Sequence, residues 1–231
     1  MKVILAAISV LVSVSLFAQD TTTIFIPAGR DFSEVLVQSK IYKLPAFTNG
    51  SILYRDGTTS NGQLNYNFLN GEIEFVDPND KILAIAENQM LNIRTVTIDT
   101  LTFFYDHRYL ELVKKTALGT LAKSQVYMVT KRDKIGGYNQ AAPTSGIDSY
   151  GSFTDNYGVL YEKLKVRENI TLTLKSFYYF GDGFNVFLPA SKKNLMNLYH
   201  SKRNELAAYL KANSVSFKNG NDLEKMFDSF R

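Results

Sequence analysis

Most of the chain is written in period two, and its C-terminal stretch in helical spacing. In SILYRDGTTSNGQLNYNFLNGEIEFV, residues 51–76, Leu64, Tyr66 and Phe68 fall on one side of an extended chain and Asn65 and Asn67 on the other. Ile73 and Phe75 then alternate with Glu72 and Glu74. Such alternation predicts half-buried strands, because successive side chains of a strand point to opposite faces. Asn70-Gly71 suits a tight hairpin, since both residue types tolerate positive φ, and Asp56-Gly57 repeats the device upstream. Turn chemistry thus accounts for these four residues without a functional role. Further strands are expected at 81–86, 94–99, 101–105, 109–113, 125–130, 159–165 and 171–180, with Gly181-Asp182-Gly183 turning the chain into 184–188. Short strands with turns between them predict an antiparallel meander, curved into a half-barrel or closed on itself.

After Pro189 the period changes. Ser191 is placed to cap a first helix through Tyr199, with Leu195, Leu198 and Tyr199 on one side. A second helix at 202–212 carries Leu206, Tyr209 and Leu210, and Asn213 marks its stop. A third at 222–230 carries Leu223, Met226, Phe227 and Phe230. Each is too short to be stable alone, so its apolar face must pack on the sheet or on its neighbours. The fold class expected is mainly β with an α tail (α+β): an antiparallel β-meander capped by two or three short C-terminal helices.

The ends of this pattern set the organisation. The opening MKVILAAISVLVSVSLFAQD has one early lysine, Lys2, and then an uncharged apolar run, the pattern of a secretory signal peptide with cleavage expected after Ala18. A membrane anchor is the competing reading, but the run is at the short end for spanning, and Ser9, Ser13 and Ser15 dilute it. Residues 1–18 are therefore read as the signal, 19–190 as the β domain and 191–231 as a helical segment packed on it. The exported chain is expected in the periplasm or outside the cell, with no transmembrane span. Residues 136–158, GGYNQAAPTSGIDSYGSFTDNYG, read as a long loop or an extended hairpin tip.

Composition narrows the chemistry. Cysteine is absent, which excludes disulfides, zinc thiolate sites, a cysteine nucleophile and a lipoprotein anchor. The formal charge of +4, or +3 without Lys2, is spread along the chain, and even the densest basic run, 131–134, contains Asp133. That is solvated surface, and no nucleic-acid partner is expected.

Two segments carry a resemblance. GSILYRDGTTSNGQLNYNFLNGEIEF and the tail KKNLMNLYHSKRNELAAYLKANSVSFKNGNDLEKMF resemble a group of exported proteins of unknown function from Bacteroidetes-type bacteria. In that group a G-x-[IV]-x-[FY]-x-[DN]-G opening leads to an L-N-Y-N strand and a G-E-[IV]-x-F strand, and a lysine-rich helix precedes a short link and a DL helix. The resemblance implies an origin and an export route; it transfers no catalytic residue.

Candidate reactive groups are few. His107 follows Asp106, which would suit an acid–base pair or a metal site, but neighbours on an extended segment point to opposite faces, so a turn role is expected. His200 ends a helix, where the dipole favours a positive charge. No G-x-S-x-G, phosphate-binding loop or EF-hand spacing occurs. Glu72 and Glu74 lie two residues apart on one strand, whereas glycosidase carboxylates face each other across a cleft. No catalytic residue, metal site or cofactor is expected. Of the 16 Phe and 14 Tyr, most belong to strand faces, as where Phe177 and Tyr179 oppose Tyr178 and Phe180. In the 136–158 loop no core needs filling, which makes Tyr138, Tyr150, Phe153 and Tyr157 the candidate binding residues. The function expected is that of a non-enzymatic exported module binding an envelope or extracellular partner. The alternative is a carrier holding an apolar, lipid-like ligand in the concave face of the sheet.

Overall fold

A computed structural model describes residues 22–30, 32–134 and 168–230. The expected signal peptide, the 136–158 loop and the strand at 159–165 lie outside these residues. Among the described residues no helix is long and apolar enough to cross a membrane.

The strands are β1 (Thr23–Ile26), β2 (Thr48–Tyr54), β3 (Thr59–Asn67), β4 (Glu72–Val76), β5 (Ile82–Ala84), β6 (Ile93–Ile98), β7 (Leu101–Tyr105), β8 (Tyr109–Lys115), β9 (Thr120–Lys134), β10 (Glu168–Gly181) and β11 (Phe187–Pro189). Short helices α1 (Phe32–Val35), α2 (Gln38–Ile41) and α3 (Glu87–Met90) interrupt them. The tail holds α4 (Lys192–Leu198), α5 (Arg203–Ala212) and α6 (Gly220–Asp228). All strands join one antiparallel sheet in the order β1-β10-β9-β8-β7-β6-β2-β3-β4-β5, with β11 also on β10. The expected mainly-β fold with a helical tail is what the chain forms. The run β6 to β10 is a meander, but β2 is inserted between β3 and β6, so the chain leaves β2 through β3, β4 and β5 and returns by α3 to its other edge.

The sheet curls without closing. Past the end of β3, the carbonyl of Phe68 accepts from Tyr127 N on β9 at 2.7 Å, and the Tyr66 phenol donates to the Gln125 carbonyl at 2.7 Å. The concave side is filled by Ile52, Leu64, Ile73, Val96 and Ile98, and by Tyr66 stacked on Phe103 with ring centroids 5.3 Å apart. The long β9–β10 hairpin carries two further cores. At one end Ile24, Ile26, Leu36, Leu69 and Leu172 enclose Tyr127. At the other, Leu121 and Phe180 meet Leu195, Tyr199, Leu206, Leu223, Met226 and Phe227 of the helical tail. The helices start where local chemistry directs: Ser191 Oγ accepts from Asn194 N at 3.2 Å, and Asn219 Oδ1 accepts from Asn221 N at 2.9 Å.

Three local expectations change. The second half of β3, residues 64–67, is covered on both faces, because Asn65 and Asn67 are buried along with Leu64 and Tyr66, while residues 59–61 remain exposed. The residues between β3 and β4 form a four-residue loop, not a two-residue turn, in which Gly71 alone has positive φ, +71°. Asn70 acts through its side chain instead, accepting from Glu72 N and donating to Glu74, both at 3.0 Å. In the β10–β11 turn the left-handed residue is Asn185, φ 61°, while Gly181 lies within β10, where a Cβ would come 2.5 Å from the Phe187 ring.

Candidate functional site

Polar side chains on this sheet divide into those consumed by the fold and those left free. Glu74 is consumed: it is buried and accepts from the Tyr42 hydroxyl at 2.5 Å, Asn67 Nδ2 at 2.9 Å and Asn70 Nδ2 at 3.0 Å. Burial, with the Glu74 carboxylate beside it, pushes the Tyr42 phenol well above its ordinary range. Glu72 is raised by partial burial and then by the neighbouring Glu74 and Glu87 carboxylates. The two glutamates thus have separate surroundings on one strand, without the cleft a glycosidase pair requires.

A second consumed group ties the segment after α2 to the sheet. Lys43 Nζ lies 2.7 Å from Glu111 and 3.1 Å from Gln125 Oε1, with Lys123 3.6 Å from the same carboxylate. Burial lowers the Lys43 ammonium's pKa, and the Glu111 charge opposes that shift. His107 occupies the β7–β8 turn with φ 56°, its side chain 86% exposed and 3.8 Å from Asp106; this is turn geometry, as the sequence leads one to expect. His200 is exposed in the short 3-10 turn before α5. Among the described residues no three His, Cys, Asp or Glu side chains come together as a metal site. Tyr138, Tyr150, Phe153 and Tyr157 lie outside the described residues.

One group of free polar side chains lies together on β2, β3 and β6. Ser51 on β2 is directly opposite Asn61 on β3 and Thr97 on β6, while Asn49 pairs with Gln63. Together with Gly50, Gly62 and Asp99 they line a depression of about 360 Å³. Gly50 is required by packing on the opposite, core face of the sheet: a Cβ there would sit 2.6 Å from the Thr97 carbonyl and 2.8 Å from Leu64. Asp99, in the left-handed conformation at φ 52°, forms the turn out of β6 at its rim. Asn49 Oδ1 accepts from Gln63 at 3.3 Å. The side chains of Ser51, Asn61, Thr97 and Asp99 form no hydrogen bond with the rest of the described protein.

This site is absent from the sequence reading, which took the same stretch as strand and turn text. A signal was present in Gly50, since a glycine inside a strand marks close backbone approach. Chemically the depression is a hydrogen-bonding surface, with hydroxyls, amides and one carboxylate but no lysine, arginine, histidine or aromatic ring in its lining.

Fold and site together define an open, curled antiparallel sheet with a helical cap that presents a polar depression on three adjacent strands. No known family, characterised protein or solved structure matches the chain.

Proposed function

We propose that this protein is an exported, non-enzymatic binding module of the cell envelope whose recognition surface is the depression on β2, β3 and β6. The observation that carries the reading is the convergence of four side chains without intramolecular partners, Ser51, Asn61, Thr97 and Asp99, on a sheet where Asn65, Asn67, Glu74 and Gln125 are all engaged. Export is supported by the Lys2-led apolar run, and the envelope setting by the resemblance of the 50–75 and tail segments. The apolar-carrier alternative has less support, because side chains such as Tyr66, Phe103 and Ile73 already fill the concave face.

The test is capture from a solubilised envelope fraction by the immobilised protein and by a Ser51→Arg variant, whose long side chain occupies the depression. A component held by the native protein and lost by the variant supports the reading. Equal retention refutes the depression as the surface. Deleting residues 136–158 then determines whether the loop carrying Tyr138, Tyr150, Phe153 and Tyr157 makes the capture. A co-purifying apolar mass in native mass spectrometry would favour the carrier.

A further inference from the structure

We infer that the depression takes one ring of a neutral polyhydroxylated ligand, a sugar residue of an uncharged glycan; this rests on the depression being the recognition surface. A ligand hydroxyl both donates and accepts, and so needs donors and acceptors side by side. Ser51 and Thr97 hydroxyls supply both, the Asn61 amide presents a donor beside an acceptor, and Asp99 supplies two acceptor oxygens. Register places the first three in one row across adjacent strands, Asn61 and Thr97 flanking Ser51. Neighbouring strands are about 4.8 Å apart, so groups on one small ring lie within reach of more than one of them.

Other ligand classes fit this lining less well. A phosphate, sulfate or carboxylate would find no cation in the lining and would face the Asp99 carboxylate. An apolar ligand would meet no leucine, isoleucine, valine, methionine or aromatic side chain there, and so would gain none of the packing such side chains provide. A divalent cation would find a single carboxylate to balance its charge, and among the described residues no three His, Cys, Asp or Glu side chains gather there. The volume of about 360 Å³ lies at the lower end of the roughly 300–1,000 Å³ of small-molecule sites, which suits a single ring. With hydrogen bonds at an open surface and no stacking ring, a dissociation constant on the order of 1 mM is expected.

The experiment is two-dimensional ¹H–¹⁵N NMR of the protein titrated with methyl glucoside, methyl galactoside and methyl mannoside. Glucuronate and octanoate serve as the anionic and apolar comparisons. At least one neutral glycoside should shift amides of 49–51, 61–62 and 97–99 saturably, and Asn61→Ala should weaken that binding about fivefold while the rest of the spectrum is unchanged. Shifts at these residues from glucuronate or octanoate but from no neutral glycoside overturn the ligand class. If no glycoside shifts them while Ser51→Arg still abolishes envelope capture, the sugar is refuted and the recognition surface stands; if capture is also insensitive, both fall.

Discussion

Asn61 and Asn65 lie four residues apart on the same face of β3, yet their substitution by alanine should have very different costs. Asn65 is 1% exposed. Its Oδ1 accepts from Leu44 N at 3.0 Å and Tyr66 N at 2.9 Å, and its Nδ2 donates to the carbonyls of Leu44 at 2.9 Å and Ala46 at 3.2 Å. The side chain thus substitutes for ladder partners where the chain before β2 bends away from β3. Asn65→Ala strands the N–H of Tyr66, a residue 2% exposed, at about 1–3 kcal/mol for an unsatisfied buried donor, with about 0.5–1.5 kcal/mol for each bond to the wetter 44–46 segment. A loss of about 3–5 kcal/mol is expected, equivalent to a fall of about 6–20 °C in Tm for a chain of this size. Asn61→Ala, which removes no intramolecular bond, should cost less than about 0.5 kcal/mol. Urea unfolding followed by circular dichroism measures both from the midpoint at constant slope. If the two variants fell within about 0.5 kcal/mol of each other, the division of polar residues into consumed and free would be refuted.

Phe227 is fully buried, its ring stacked on Phe180 at 5.9 Å and edge-on to Tyr199 at 6.2 Å. Phe227→Ala should therefore cost about 3–5 kcal/mol by the same assay, and a cost below about 1 kcal/mol would mean that the tail folds independently of the sheet. At Gly119 an added Cβ would come 2.5 Å from the Tyr199 ring and 2.8 Å from the Gly181 carbonyl, so Gly119→Ala should lose about 1–3 kcal/mol by overpacking; unchanged thermal melting would refute that contact. Burial pushes the Tyr66 phenol up to about 12, against about 10 in the unfolded chain. Its contribution to stability is fully present below about pH 10 and is lost toward pH 12, because only the unfolded state releases the proton in that interval. The expected slope is about 1.4 kcal/mol per pH unit, shallower in Tyr66→Phe, and urea midpoints that stay level from pH 9 to 11.5 would refute it.

Much of the fold was legible because period and capping are local. The run 101–105 is a strand at its expected bounds, and the three tail helices begin or end within about two residues of their expected bounds, as is usual for helix termini. Ser191 caps α4 through the hydroxyl that recommended it. The segment before residue 50 carried no such signal: β1, α1 and α2 are at most four residues long and are held by contacts with β10, Leu69 and Tyr127. Turn residues were legible as turns but not as conformations, since Asn70 works through its amide and the left-handed residue of the turn after β10 is Asn185, outside Gly181-Asp182-Gly183.

The sequence alone determined the alternation of the strands, the change to helical spacing after Pro189 and the chemistry excluded by the absence of cysteine. Tertiary structure alone decided the insertion of β2 between β3 and β6, and with it the placing of Ser51, Asn61 and Thr97 in one row. It also decided which asparagines remain free. Asn61 and Asn65 have the same side chain, strand and face; one meets the bent backbone of Leu44 and Ala46 while the other meets solvent. Local pattern can specify which way a side chain points, but the group waiting there comes from distant chain, and that meeting exists only once the sheet has curled.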